Sequence, residues 1–284
     1  MPPARARMIL ADAHLHLFRR GFPGVYGKSL LGTEIDVYEN LRGAHGITAG
    51  LVVGYEGEGI DPGNNAYIRW LAADRPWIAT VANVDTLSVP SAAAVASLID
   101  SGHVGLSLYI SSNSAAQAVA AWPVSVWDVL NQGRALISLN ITPEYLSVLA
   151  PVMARNEGCW FLVSHMGLPG QYKLAPPLED AAARLAPLIQ LAGLSNVVVK
   201  ISGLYAISDP PFAYPHHAAQ PFINLLLDRF GPARCLWGSD FSPALDHVSF
   251  AQTVSNPWLD HLDDGERALV MGENLLRLLR RKFT

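Results

Sequence analysis

Cysteine is nearly missing from this chain: Cys159 and Cys235 are the only two in 284 residues. Two cysteines cannot form the disulfide framework of a small secreted scaffold. Each opens an apolar run, Cys159-Trp-Phe-Leu-Val163 and Cys235-Leu-Trp-Gly-Ser239. Both are expected to be small buried hydrophobes in a reducing cytoplasm. Charge is scarce too, at 15% of residues against about a quarter in an average domain. The net charge of −4 gives no basic footprint for nucleic acid. Cations cluster only at Arg277, Arg280, Arg281 and Lys282. That cluster reads as the last turn of a terminal helix, where positive charge suits the helix dipole. No window reaches the ~20 apolar residues of a membrane span. Met8–Ala11 is too short for a signal-peptide core, and Asp12 interrupts it. The sequon Asn140-Ile-Thr is therefore expected to stay unmodified. No linker, repeat or low-complexity tract divides the chain, so residues 1–284 read as one domain.

What the chain does have is hydrophobic residues, half of its length, arranged in short β-branched runs that alternate with helical patterns. The runs predict strands at Met8–His14, Thr48–Gly54, Trp77–Val84, Val104–Tyr109, Ala135–Asn140, Trp160–His165, Asn196–Ser202 and Cys235–Asp240. Helical spacing predicts helices at Ala66–Ala73, Ser91–Ser101, around Trp127 and Leu130, from Thr142-Pro143-Glu144, and at Leu178–Leu191, Pro221–Phe230 and Gly265–Leu279. Eight strand–helix units in this length predict an α/β fold, a closed (β/α)8 TIM barrel. A doubly wound open sheet would want a phosphate-binding glycine loop, and Gly54-Tyr-Glu-Gly57-Glu-Gly59 misses that spacing.

The first strand ends in Asp12-Ala-His14-Leu-His16. Residues i and i+2 of a strand share a face, so both imidazoles can converge on one point. Chance alone supplies roughly 0.3 such pairs in a chain with nine histidines, so position carries the argument more than spacing. Barrel chemistry gathers at the C-terminal strand ends. There the sequence offers His14 and His16, Tyr109, Asn140, His165, Lys200 with Ser202, and Asp240. Closure brings the eighth strand beside the first, and Asp240 beside the two histidines. Lys200 reads equally as a substrate ligand and as an ion-paired barrel lysine. Tyr109 and Asn140 divide between packing and substrate contact. His45, His103, His247 and His261 fall in loops or helix ends and read as solvated. Asp85 reads as a turn or cap residue.

Four motifs in order, Asp12-Ala-His-Leu-His16, Ser164-His-Met-Gly167, Val199-Lys-Ile-Ser-Gly203 and Gly238-Ser-Asp-Phe241, resemble the amidohydrolase superfamily. The likeness is nearest to its amidohydrolase-2 branch, which includes lactonases, and Met271-Gly-Glu-Asn-Leu-Leu-Arg277 is similar to that branch's terminal helix. The resemblance implies a (β/α)8 barrel and hydrolysis by a metal-activated or aspartate-activated water. It implies His14, His16, His165 and Asp240 as catalytic residues and as candidate ligands of one zinc ion, or a site that works without metal. A two-metal site is not expected: Asn140 stands where a bridging Lys or Glu belongs, and Lys200 and Ser202 where a further histidine belongs.

The leading expectation is a hydrolase of a small-molecule lactone or carboxylic ester. Asp240 would accept the proton of the attacking water. The histidines would stabilise the oxyanion directly or through zinc, and Lys200, Tyr109 and Asn140 would bind substrate. Lys28 and Arg42 are candidates to reach in from loops. The alternative is a metal-dependent decarboxylase of an aromatic or unsaturated acid. It would want a further histidine, for which only His216-His217 is on offer. A non-catalytic binding barrel leaves the strand-end histidines without purpose, and Ser107 lacks a nucleophile elbow. The expected partner is a small-molecule substrate, with no nucleic acid and no membrane. The apolar fraction leaves room for a homo-oligomer.

Overall fold

The computed structural model describes residues 8–57, 59–60 and 62–282, with side chains through residue 280. Its centre is one eight-stranded parallel sheet in sequential order. The strands are β1 (Leu10–Leu15), β2 (Ile47–Val53), β3 (Ile78–Asn83), β4 (Gly105–Ile110), β5 (Leu136–Ile141), β6 (Trp160–Val163), β7 (Val197–Ile201) and β8 (Cys235–Trp237). The edges meet where Leu15 bridges Phe241 and the Asp240 amide donates to the His14 carbonyl at 2.8 Å. Helices stand between the strands, which makes the predicted (β/α)8 barrel.

Two apolar layers hold it. Strand residues Ala11, Ala13, Leu51, Val53, Val81, Leu136, Leu162, Val198 and Leu236 form one buried cluster, filling the barrel below the mouth. The opposite strand faces pack against the helices in a second, larger cluster that contains Trp127, Phe161, Phe222 and Trp237. Fully buried side chains of this size contribute about 1.5–3 kcal/mol each.

All eight predicted strands are present, but β6, β7 and β8 stop short of the residues read as their ends. His165 and Asp240 have φ of 51° and 56°. A strand cannot contain this left-handed conformation, so each lies in the turn that follows.

The predicted helix Gly265–Leu279 is broken into Asp264–Ala268, a π turn at Leu269–Glu273 and Asn274–Lys282. There Gly272 lies so near β1 that a Cβ would meet the Ile9 carbonyl oxygen at 2.3 Å. The irregular turn accommodates that approach. Arg277 and Arg280 lie on this last helix; the side chains of Arg281 and Lys282 lie outside the described residues.

Two helices of eight residues or more escaped the hydrophobic pattern, Glu34–His45 and Asn113–Ala120, as did the short Val25–Lys28 and Phe250–Val254. The start signals of the longer two are nonetheless in the sequence: Thr33 caps the Asp36 amide and Ser112 caps the Ala115 amide. Ser91 caps its helix as expected, while Thr142 occupies its cap position without a side-chain cap bond. His103 is a correction. It is buried and bonds Thr80 Oγ1 at 2.9 Å, because it packs back on β3. Asp85 does hold a turn, accepting from the Leu87 amide. Cys159 and Cys235 are buried thiols, as expected. Among the described residues, no helix is long and apolar enough to cross a membrane.

Candidate active site

The register of β1 against β2 shifts between Asp12 and Leu15. Such a shift lets adjacent residues turn to the same side. Ala13 joins the interior apolar cluster, while His14 bonds across the barrel to Ser164 and Lys200. His16 follows on the same side, and the two Nε2 atoms stand 3.3 Å apart. Asp240 arrives from the turn after β8. Its Oδ1 is 3.6 Å from His14 Nε2 and 3.8 Å from His16 Nε2. Its Oδ2 is 4.0 Å from His165 Nδ1. The four predicted catalytic residues therefore converge at the barrel mouth, and all four are buried.

Each group is held by a specific neighbour. His16 Nδ1 donates to the Val53 carbonyl at 2.7 Å, which leaves a lone pair on Nε2 of the neutral ring. His14 Nδ1 faces Lys200 Nζ at 3.1 Å and Ser164 Oγ at 3.3 Å. Ser202 Oγ sits 3.0 Å from His165 Nδ1. Gly203 makes that turn possible: its φ is +62°, and a Cβ would meet His165 Nδ1 at 2.4 Å. Tyr205, on the same turn, donates its hydroxyl to Asp240 Oδ2 at 2.8 Å.

Burial governs the protonation states. It lowers His16 to about 4 and holds His14 and His165 below the usual imidazole range, so all three rings are neutral near pH 7. Lys200 has no exposed surface, and burial lowers it to about 7 against the pull of Asp12 and Asp240. Burial and then the Asp240 charge raise both Tyr109 and Tyr205 above the ordinary phenol range.

The predicted binding residues separate by depth. Tyr109 is half-buried at the end of β4, its ring 4.6 Å from that of Tyr55, and Asn140 is its register partner on β5. Lys200 lies beneath the histidines, bonded to Ser138 Oγ at 2.7 Å and to His14. Arg42 does not reach the mouth. It lies over the Trp77 ring and donates to the carbonyl of Ile47 at the start of β2, because the helix that carries it runs back to that end of the barrel. Lys28 is exposed beside a cleft of about 220 Å³ lined by Phe18, Arg19 and Tyr67.

Sequence reasoning missed Tyr205 and the supporting role of Asp12. Asp12 is fully buried and accepts from the His14 amide, the Ser239 amide, Ser239 Oγ and Tyr38 Oη. It ties β1 to the turn that carries Asp240. Burial outweighs these four donors and raises it to about 6. Its place two residues before His14 was the available signal. No spacing rule points to Tyr205.

His14 Nε2, His16 Nε2 and Asp240 Oδ1 form a triangle with edges of 3.3, 3.6 and 3.8 Å. Ligands around a tetrahedral zinc ion stand about 3.3 Å apart, so these atoms fit one face of such a site. His14, His165 and Asp240 also each offer a ligand atom within 4.8 Å of the others. Ser164 Oγ can accept the Nδ1 proton that a metal-bound His14 would carry.

The profile of the amidohydrolase-2 family matches residues 11–281. The chain belongs to this amidohydrolase family. An L-fucono-1,5-lactonase of Burkholderia multivorans is 29% identical over 130 residues, 44% of this chain and 44% of that lactonase. A B. multivorans amidohydrolase solved with bound zinc shares the fold at TM-score 0.76 and 21% identity, over 96% of this chain and 99% of that one. A protein described as a probable 2-pyrone-4,6-dicarboxylic acid hydrolase, from Acinetobacter baumannii with citric acid bound, does so at TM-score 0.73 and 17% identity, over 96% and 100%.

Proposed function

We propose that this amidohydrolase opens lactones, with Asp240 as the proton-transfer group. The observation that carries the proposal is the Asp240 carboxylate, with one oxygen 3.6–3.8 Å from both β1 histidines. That gap is where a water and a carbonyl oxygen would meet. Asp240 takes the proton of the attacking water and returns it to the ring oxygen as the C–O bond breaks. Without an ion, Lys200 donates to His14 Nδ1, so the proton of the neutral ring sits on Nε2, aimed at the developing oxyanion; with an ion held at Nε2 the ring proton would sit on Nδ1 instead, where Ser164 can accept it. His14, His16 and Asp240, with His165 beside them, are the residues that would hold a zinc ion. Such an ion supplies Lewis-acid polarisation of the carbonyl and a more acidic water.

Tyr55, Tyr109 and Asn140 offer hydroxyl and amide groups at the mouth. Among the described residues, the cation bonded within the cluster is Lys200, already engaged below His14. These groups suit a hydroxyl-bearing lactone better than a dicarboxylate, and the partial match to a fuconolactonase supports the same class. The alternative is decarboxylation, since a 2,6-dihydroxybenzoate decarboxylase shares the fold. That reading wants an additional histidine, but His216 is bonded to Ser208 and exposed His217 packs on Trp258. The test is a panel of aldonolactones followed by acid release, beside an aromatic-acid panel followed by CO₂ release. Acid release is expected; CO₂ release without lactone opening would overturn the proposal.

A further inference from the structure

Asp240 is held asymmetrically. Oδ1 faces His14 and His16 and accepts no hydrogen bond from them at 3.6 and 3.8 Å. Oδ2 accepts from Tyr205 Oη at 2.8 Å. The turn after β7 reaches two site residues at once, with Ser202 on His165 Nδ1 and Tyr205 on Asp240 Oδ2. The Tyr205 ring is fixed from its other side by His247, at 4.9 Å between centroids. A carboxylate swings freely about its last bond unless one oxygen is pinned, and a phenol donor bonded to a charge is a strong pin.

We propose that Tyr205 is a positioning residue: its hydroxyl fixes Oδ2 so that Oδ1 is the oxygen presented to the attacking water. The proton then moves from water to Oδ1 as the new C–O bond forms, and from Oδ1 to the ring oxygen as the old one breaks. Tyr205 keeps its own proton throughout. This inference rests on the lactone-opening reading and adds the residue that orients its base.

The experiment compares wild type, Tyr205→Phe, a variant with p-aminophenylalanine at position 205, and Asp240→Asn, on a lactone the wild type opens. Opening by wild type and its loss in Asp240→Asn test the underlying reading separately. Tyr205→Phe is expected to lower kcat about ten- to a hundredfold, the value of a hydrogen bond to a charged group, with KM within about twofold. p-Aminophenylalanine restores an N–H donor at the same place and is expected to recover kcat to within about fivefold of wild type. Unchanged kcat in the Phe variant would overturn the proposal, as would a raised KM at unchanged kcat, which would make Tyr205 a substrate contact. Failure of the amino analogue to improve on Phe would also overturn it. If the Phe variant does not fold, the analogue still decides the matter by its kcat against wild type.

Discussion

Asp12 makes the sharpest structural prediction, because four donors converge on one buried carboxylate. Oδ1 accepts from the His14 and Ser239 amides at 3.1 and 2.9 Å, and Oδ2 from Tyr38 Oη at 2.8 Å and from Ser239 Oγ. Replacing it with alanine strands two backbone amides and two hydroxyls in a fully buried region. Breaking a buried charged network in this way costs about 3–5 kcal/mol. In a domain of this size, that lowers Tm by roughly 10 °C. Asp12→Asn is expected to be milder, about 1–2 kcal/mol. Its oxygen keeps the two amides, and the hydroxyls of Tyr38 and Ser239 can turn to accept from the new NH₂. Scanning calorimetry of wild type and both variants at pH 7 measures the difference. An alanine variant within about 3 °C of wild type, or an asparagine variant as damaged as alanine, would refute this reasoning.

Other consequences follow from the same groups. A histidine kept neutral in the fold but free to protonate in the unfolded chain contributes stability above pH 6.5, and that stability is lost as pH falls. His16, lowered to about 4, loses about 3 kcal/mol by pH 4 on its own. His14 and His165 act in the same direction. Asp12, raised to about 6, acts oppositely: its stabilisation is present below pH 4 and lost as pH rises through 6. The three histidines are expected to dominate, so Tm should fall between pH 7 and pH 4.5; a flat or rising Tm would contradict the buried neutral rings. Gly203→Ala is expected to cost at least tenfold in kcat, because its Cβ would meet His165 Nδ1 at 2.4 Å; wild-type kinetics would show that the turn can yield. Elemental analysis is expected to find about one zinc per chain, reduced in Asp240→Ala, while an active metal-free enzyme would assign oxyanion stabilisation to His14 without an ion.

The barrel was legible because its signal is repetitive. Eight apolar runs with helical patterns between them leave few alternatives, and turn chemistry at Ser91 and Pro143 marked helix starts that the structure shows. The convergence of His14, His16, His165 and Asp240 was legible for a related reason: barrel topology alone brings strand ends together. What escaped depends on local backbone geometry. His165 and Asp240 lie in left-handed turns, whose side-chain directions a strand pattern does not encode. Tyr205 reaches Asp240 only because the Gly203 turn bends that way, and no periodicity records that bend. Lys200 was visible as a strand-end cation. Its depth beneath His14 follows from the inward facing of Ser138 and Ser164, two small side chains that a hydrophobicity pattern passes over.

The central claim is that Asp240 and the β1 histidines form one lactone-opening centre. The most direct measurement is the rate of acid release from an aldonolactone by wild type and by Asp240→Asn, with Tm recorded for both. Wild type is expected to turn over and the variant to fall about 10²–10⁴-fold, the share of a general base, at nearly unchanged Tm. A variant that opens the lactone at the wild-type rate would contradict the account.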